Sequence, residues 1–148
     1  MTDYYLEDFK LGKVYSSPTH TVTEEEALEF ARRYDPQYFH LDPVAARESV
    51  FGGLVLGGFQ TAAFSWALVL RTGMFDHCAM AGIGLDEVRW HKPVRPGDCL
   101  RCEFELIDAR PSKSRPEGGI ARFRYEMKNQ LDELVLSLFM IQLLRRRA

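Results

Sequence analysis

Asp35 and His40 stand five residues apart in Tyr34-Asp35-Pro36-Gln37-Tyr38-Phe39-His40-Leu41-Asp42-Pro43, a stretch pinned at both ends by an Asp-Pro step. A carboxylate and an imidazole beside one water molecule can remove a proton from it and return one to a substrate. General acid–base work is one reading of the pair; a hydrogen-bonded structural histidine is the other. Asp42 has a plainer duty, because Asp is a favoured N-cap and Pro a favoured first helical residue, so a short helix through 44–48 is expected behind it. Downstream lie Gly57 and Gly58, at the expected start of a long apolar helix. A helix N-terminus presents free N–H groups and the positive end of the helix dipole, and glycine lets a substrate come close. Such a turn can hold a developing enolate oxygen as an oxyanion hole does. Close packing of helix on sheet explains the same glycines equally well.

Other chemistries find little footing. His20, His77 and His91 lack the spacing of a metal site. Cys99 and Cys102 spell C-x-x-C, but they fall in an alternating, strand-like run that turns the two thiols to opposite faces. With Cys78 the cysteines number three, an odd set that argues against a disulfide framework. Neither glycine pair is followed by the Lys-Ser/Thr of a phosphate loop, and Ser65 has no glycine elbow around it. No metal or cofactor is therefore called for.

The elements that must position these residues can be read in order. Val14 to Val22, interrupted by Ser16-Ser17-Pro18, reads as an edge strand or two short ones. Thr23-Glu24-Glu25-Glu26 has the form of a capping box, and a helix follows with Ala27, Leu28, Phe30, Ala31 and Tyr34 on its apolar side. Pro36 disfavours the helical conformation at Asp35 and ends it there. Ser49 to Leu70 carries no charged side chain, a length that hydropathy alone would accept as a membrane span. Gly52-Gly53, Gly57-Gly58, Gln60, Thr61 and Ser65 argue instead for a buried helix from about Gly57 to Thr72, covered by protein on every side. Beyond it the period changes to two around Val88 and Trp90, again from 100 to 106, and again from 121 to 128. Residues 134–144 are apolar on both faces apart from Ser137 and Gln142, as in a central strand or one lying against a partner chain.

The sum is an α+β arrangement in one domain, 1–148, with an antiparallel sheet curled around a long helix. One small sheet covers only one side of a helix that is apolar all round, so a homodimer or higher homo-oligomer is expected. The net charge is −2 and 27% of residues are charged, which gives no global pull toward nucleic acid or anionic lipid. Asp3, Glu7 and Asp8 stand where a signal peptide would need an apolar run, so cytoplasmic residence is expected.

Taken together, Asp35-Pro36-Gln37-Tyr38-Phe39-His40-Leu41-Asp42-Pro43, Ala45-Ala46, Phe51-Gly52-Gly53, Gly58 and Pro93-Val94-Arg95-Pro96-Gly97-Asp98 resemble the MaoC-like, (R)-specific enoyl-CoA hydratase family of hot-dog-fold proteins. The likeness runs from the first helix through the last strand, in a version written Asp-Pro-Gln-x-Phe-His. It implies sheets that join in a dimer with the site at the interface. It also implies that Asp35 and His40 hold the water added across a trans-2-enoyl-CoA double bond, and that the N–H of Gly58 receives the thioester oxygen. Gln37 stands where the family more often has Asn, and Gly57 where His or Ser is common; Phe59 and Gln60 also depart from usual choices. Gln37, Phe51, Gly53, Gly57, Phe59 and Arg95 are the expected substrate contacts. Lys92, Arg95, Arg110, Lys113 and Arg115 are candidates for the phosphates of coenzyme A.

Three functions follow for comparison. A hydratase or dehydratase of acyl thioesters uses Asp35, His40 and Gly58. A non-catalytic acyl-thioester-binding protein is suggested by Gln37, Gly57 and Gln60. A hot-dog thioesterase needs a carboxylate on or near the central helix, and Ser49 to Leu70 supplies none.

Overall fold

In the computed structural model, which describes residues 3–148, the chain begins with a 3-10 turn at Leu6–Asp8. Two short strands follow, β1 at Val14–Ser16 and β2 at His20–Thr21, and both pair antiparallel with a later strand. Helix α1 then spans Glu24–Tyr34. Its capping box forms as the sequence dictates: Glu26 N–H donates to Thr23 Oγ1 at 3.2 Å, and Thr23 N–H donates to Glu26 Oε2 at 2.7 Å. Ala27 and Ala31 are buried. Tyr34, expected on the same apolar face, is 68% exposed, because the helix ends there and its last side chain clears the core.

The short helix α2, Tyr38–Leu41, carries His40 in its only turn. Asp42 caps the 3-10 turn at Ala45–Glu48, its Oδ1 accepting from the N–H of Val44 at 2.9 Å and of Ala45 at 3.1 Å. The chain next runs extended through Leu54, Val55 and Leu56, all buried, and enters the long helix α3 at Gly58–Leu70.

Four strands complete the molecule: β3 at Ala79–Trp90, β4 at Cys99–Pro111, β5 at Gly118–Lys128 and β6 at Leu134–Arg145. The sheet order is β1-β4-β5-β6-β3, every named pair antiparallel, with β2 also on β4. Inward side chains of β4 and β5, among them Leu100, Cys102, Phe104, Phe123, Tyr125 and Met127, alternate with half-exposed charged ones. That is the pattern of strands with one dry face. Leu68 and Val69 of α3 are fully buried, and Phe9, Phe75, Phe104 and Phe123 form a connected aromatic cluster in the core. This is the expected α+β, hot-dog arrangement of sheet around helix, with β6 interior to the sheet between β5 and β3.

Cover on α3 is one-sided. Phe59 is 71% exposed and Ala63 is exposed, while Ala62, Trp66 and Ala67 are half-buried. Strand β3, at the sheet's edge, leaves Ile83, Leu85 and Trp90 about half open. Among the described residues, no helix is long and apolar enough to cross a membrane.

Candidate active site

Three short hydrogen bonds fix the segment that leads into α3. Val55 N–H donates to the Phe39 carbonyl at 3.1 Å, Leu56 N–H donates to the Val94 carbonyl at 2.8 Å, and His40 Nδ1 lies 2.7 Å from the Val55 carbonyl. A carbonyl only accepts, so the proton sits on Nδ1 and neutral His40 presents a lone pair at Nε2. That nitrogen faces Asp35 Oδ2 at 3.5 Å, with both side chains largely buried.

Asp35 is set by the chain before it. Its N–H closes the last turn of α1 on the Ala31 carbonyl at 3.0 Å, and Pro36 then turns the backbone away. Gln37 Nε2 donates to Asp35 Oδ1 at 2.8 Å, so the longer amide at this position orients the carboxylate and leaves Oδ2 toward His40. The same oxygen lies against Gly57, where an added Cβ would come within 2.4 Å of it. Glycine at 57 is thus what lets the carboxylate reach the N-terminus of α3.

That N-terminus is open. Gly57 occupies the N-cap position without a side-chain cap, and its carbonyl accepts from Thr61 N–H at 3.1 Å and from Thr61 Oγ1 at 3.2 Å. The N–H groups of Gly58 and Phe59, in the first turn, have no acceptor within the helix.

Asp35, His40 and Gly58 border one cleft of about 510 Å³. Gln37, Phe51 and Phe59 line it as well, together with Phe39, Val55 and Trp90. Such a volume with an apolar wall and a few convergent polar groups suits a small-molecule ligand. Lys92 lies on the rim, paired with Glu133. Gly53, Gly57 and Arg95 lie outside the lining. Arg95 instead ties the Phe51 loop down, its Nη2 donating to the Phe51 carbonyl at 2.5 Å.

Arg110, Lys113 and Arg115 are far from the cleft of their own chain. Trp90 at the cleft pairs through Leu136 and Met127 with Cys102, whereas Pro111 pairs through Gly119 and Leu144 with Ala79, at the other end of the same strands. Sequence reasoning missed Trp90 and Thr61 as site residues, and set His91 aside as a metal ligand; it bonds Ser137 Oγ at 2.7 Å and borders the cleft. Thr61 could have been noticed, one turn beyond Gly57; Trp90 depends on a sheet register that the local sequence does not disclose.

The described residues contain no cluster of three or more His, Cys, Asp or Glu placed to hold a metal ion. What the cleft can do is hold one water between two acceptors, Asp35 Oδ2 and His40 Nε2, with amide hydrogens at hand for a developing oxyanion.

Comparison with known proteins gives the chain's family. Residues 9–122 match the family model described as "MaoC like domain". The uncharacterised protein YdeM of Bacillus subtilis is 31% identical over 125 residues, covering 84% of this chain and 87% of that one. A crystal structure of a MaoC-like dehydratase from Rhodospirillum rubrum superposes with a TM-score of 0.87 at 36% identity, over 97% of this chain and 98% of the other. A shorter stretch of 69 residues, 47% of this chain and 20% of the relative, is 39% identical to mesaconyl-CoA hydratase of Cereibacter sphaeroides. With its helix-wrapping sheet and a match over most of its length, the chain belongs to the MaoC-like dehydratase family.

Proposed function

We propose that the protein is a hydratase or dehydratase of acyl-CoA thioesters, adding water to a trans-2-enoyl-CoA to give the (R)-3-hydroxyacyl-CoA, or reversing that step. The observation that carries the reading is the 3.5 Å approach of His40 Nε2 to Asp35 Oδ2 at the cleft that Gly58 also borders. Water held between the two acceptors loses a proton to one of them as its oxygen bonds to the β-carbon. The electrons of the carbon–carbon double bond shift toward the thioester oxygen, which the Gly58 N–H receives. Return of a proton to the α-carbon restores the thioester and the resting site. Phe51 and Phe59 supply apolar wall for the acyl chain, and Lys92, which borders the cleft, and Arg95, which holds the Phe51 carbonyl, are the cations offered to the phosphates of coenzyme A.

Gln37, which the sequence offered as a reason to doubt catalysis, supports it here by holding Asp35 Oδ1 at 2.8 Å. The test is direct. Incubation with a short trans-2-enoyl-CoA is expected to consume the conjugated thioester absorbance, and full activity in Asp35→Asn and His40→Asn would remove the assignment. Tight thioester binding without turnover would mark a binding protein, and free thiol released from a saturated acyl-CoA would mark a thioesterase.

We further propose that two copies pair through the open face of α3 and the edge of β3, where Phe59, Ile83, Leu85 and Trp90 are exposed. Light scattering of the purified protein is expected to give twice the 17.0 kDa chain mass or a multiple of it. Three free cysteines, two of them buried, fit a reducing compartment such as the cytoplasm.

A further inference from the structure

Trp90 closes strand β3 beside the first turn of α3, and two independent features tie it to that turn. Its Nε1–H donates to the Gly58 carbonyl at 2.8 Å. Its ring also lies so close over Gly58 that an added Cβ would stand 2.6 Å from Cε2, 2.8 Å from Cζ2 and 2.9 Å from Nε1. The residue is firmly based, since Trp90 pairs with Leu136 of β6 and the next N–H, of His91, donates to the Val135 carbonyl at 2.9 Å.

The Gly58 carbonyl and the Phe59 N–H belong to one planar amide and point in opposite directions. Holding the carbonyl therefore aims the N–H, which in the first turn of a helix points out of the N-terminal end with no acceptor of its own. A hydrogen bond to the carbonyl also polarises the amide and makes its N–H a stronger donor. Phe59 and Gly58 both border the cleft.

We infer that Trp90 is a positioning residue for the oxyanion turn, and that the Phe59 N–H is a second donor to the thioester oxygen beside that of Gly58. The inference rests on the hydratase reading. It gives glycine at 58 a reason beyond substrate access: a side chain there would push the indole off the turn. Phe59 packs edge-on against the same indole, with centroids 6.3 Å apart, so one aromatic wall braces both residues of the turn.

Trp90→Phe keeps a ring over Gly58 and deletes the donor, while Trp90→Leu removes the ring as well. In the full chain, Trp90→Phe is expected to lower kcat for enoyl-CoA hydration about tenfold and leave KM within about twofold, as befits support for a charge that grows only in the transition state. Its affinity for a thioether analogue, which has no carbonyl oxygen for the amides to hold, is expected to be unchanged. Trp90→Leu is expected to lose about tenfold more. Amide NMR reads the turn without turnover: the Phe59 15N shift is expected to move in Trp90→Phe while that of Thr61 stays put. Unchanged kcat in Trp90→Phe, an equal loss of thioether binding, or an unmoved Phe59 amide would each overturn the inference. A wild-type protein without hydratase activity would remove the functional reading and the second-donor role with it, and the amide shift would still decide whether Trp90 holds the turn.

Discussion

At the N-terminus of α1, Thr23 and Glu26 close on each other, each side chain taking the other's backbone N–H. At the N-terminus of α3 the corresponding positions are Gly57 and Gln60, and no such closure forms. Gly57 has no side chain to offer, and Gln60 Nε2 reaches away to donate to the Glu26 carbonyl of α1 at 3.1 Å. The two helices are thereby tied, yet only one of them is capped by its own residues. Free donors at a helix end are costly when buried without partners and useful when a ligand supplies the acceptor. The closed end serves stability, and the open end faces Asp35, His40 and the cleft.

Damage at the two ends is therefore expected to show in different measurements. The largest effect is expected from Asp35→Asn and His40→Asn, each lowering kcat for enoyl-CoA hydration about a thousandfold, within the range for loss of an acid–base group. Gly57→Ala comes next. The backbone at 57, with φ −63°, accepts alanine without strain, but the new Cβ displaces the Asp35 carboxylate. Activity is expected to fall about a hundredfold, as for a misplacement of about 1 Å. Retained activity in Gly57→Ala would mean that Asp35 works from some other position.

Thr23→Ala tests the closed end, and is expected to cost about 1 kcal/mol in a urea titration while leaving turnover unchanged. The smallest effect is expected from protons on Glu26. Partial burial works to raise its carboxyl, but the Thr23 N–H and the His20 ring outweigh that and hold it below the ordinary 4.5. The stability this contributes is complete above about pH 4.5 and is lost as pH falls through the lower folded value. Glu26→Gln is expected to flatten the dependence of unfolding free energy on pH in that acid window; a dependence identical to wild type would break the assignment.

Much of this was legible because the local chemistry was decisive. Thr23 and Glu26 announce a cap, Pro36 stops α1 at Asp35, and the strict alternation in β4 and β5 marks strands with one dry face. Strand β3 was only half read. It begins at Ala79, well before the alternation at Val88 and Trp90, and Gly82, Gly84 and three register irregularities against β6 erase the period. As an edge strand with nearly every residue exposed, it has no dry face within the chain to impose one. The site divided in the same way. Asp35 and His40 are brought together by their own loop, so their spacing was informative. Trp90 reaches Gly58 through the sheet, and Arg110, Lys113 and Arg115 are carried to the far end by it; neither placement is written in neighbouring residues.

The bond from His40 Nδ1 to the Val55 carbonyl has a stereochemical consequence. It leaves one basic nitrogen on the cleft side of the imidazole, next to the one free oxygen of Asp35. In the proposed hydration, hydroxyl and hydrogen are then delivered from a single side of the alkene plane. Addition in heavy water should place the deuterium and the new hydroxyl syn, with one enantiomer at each carbon.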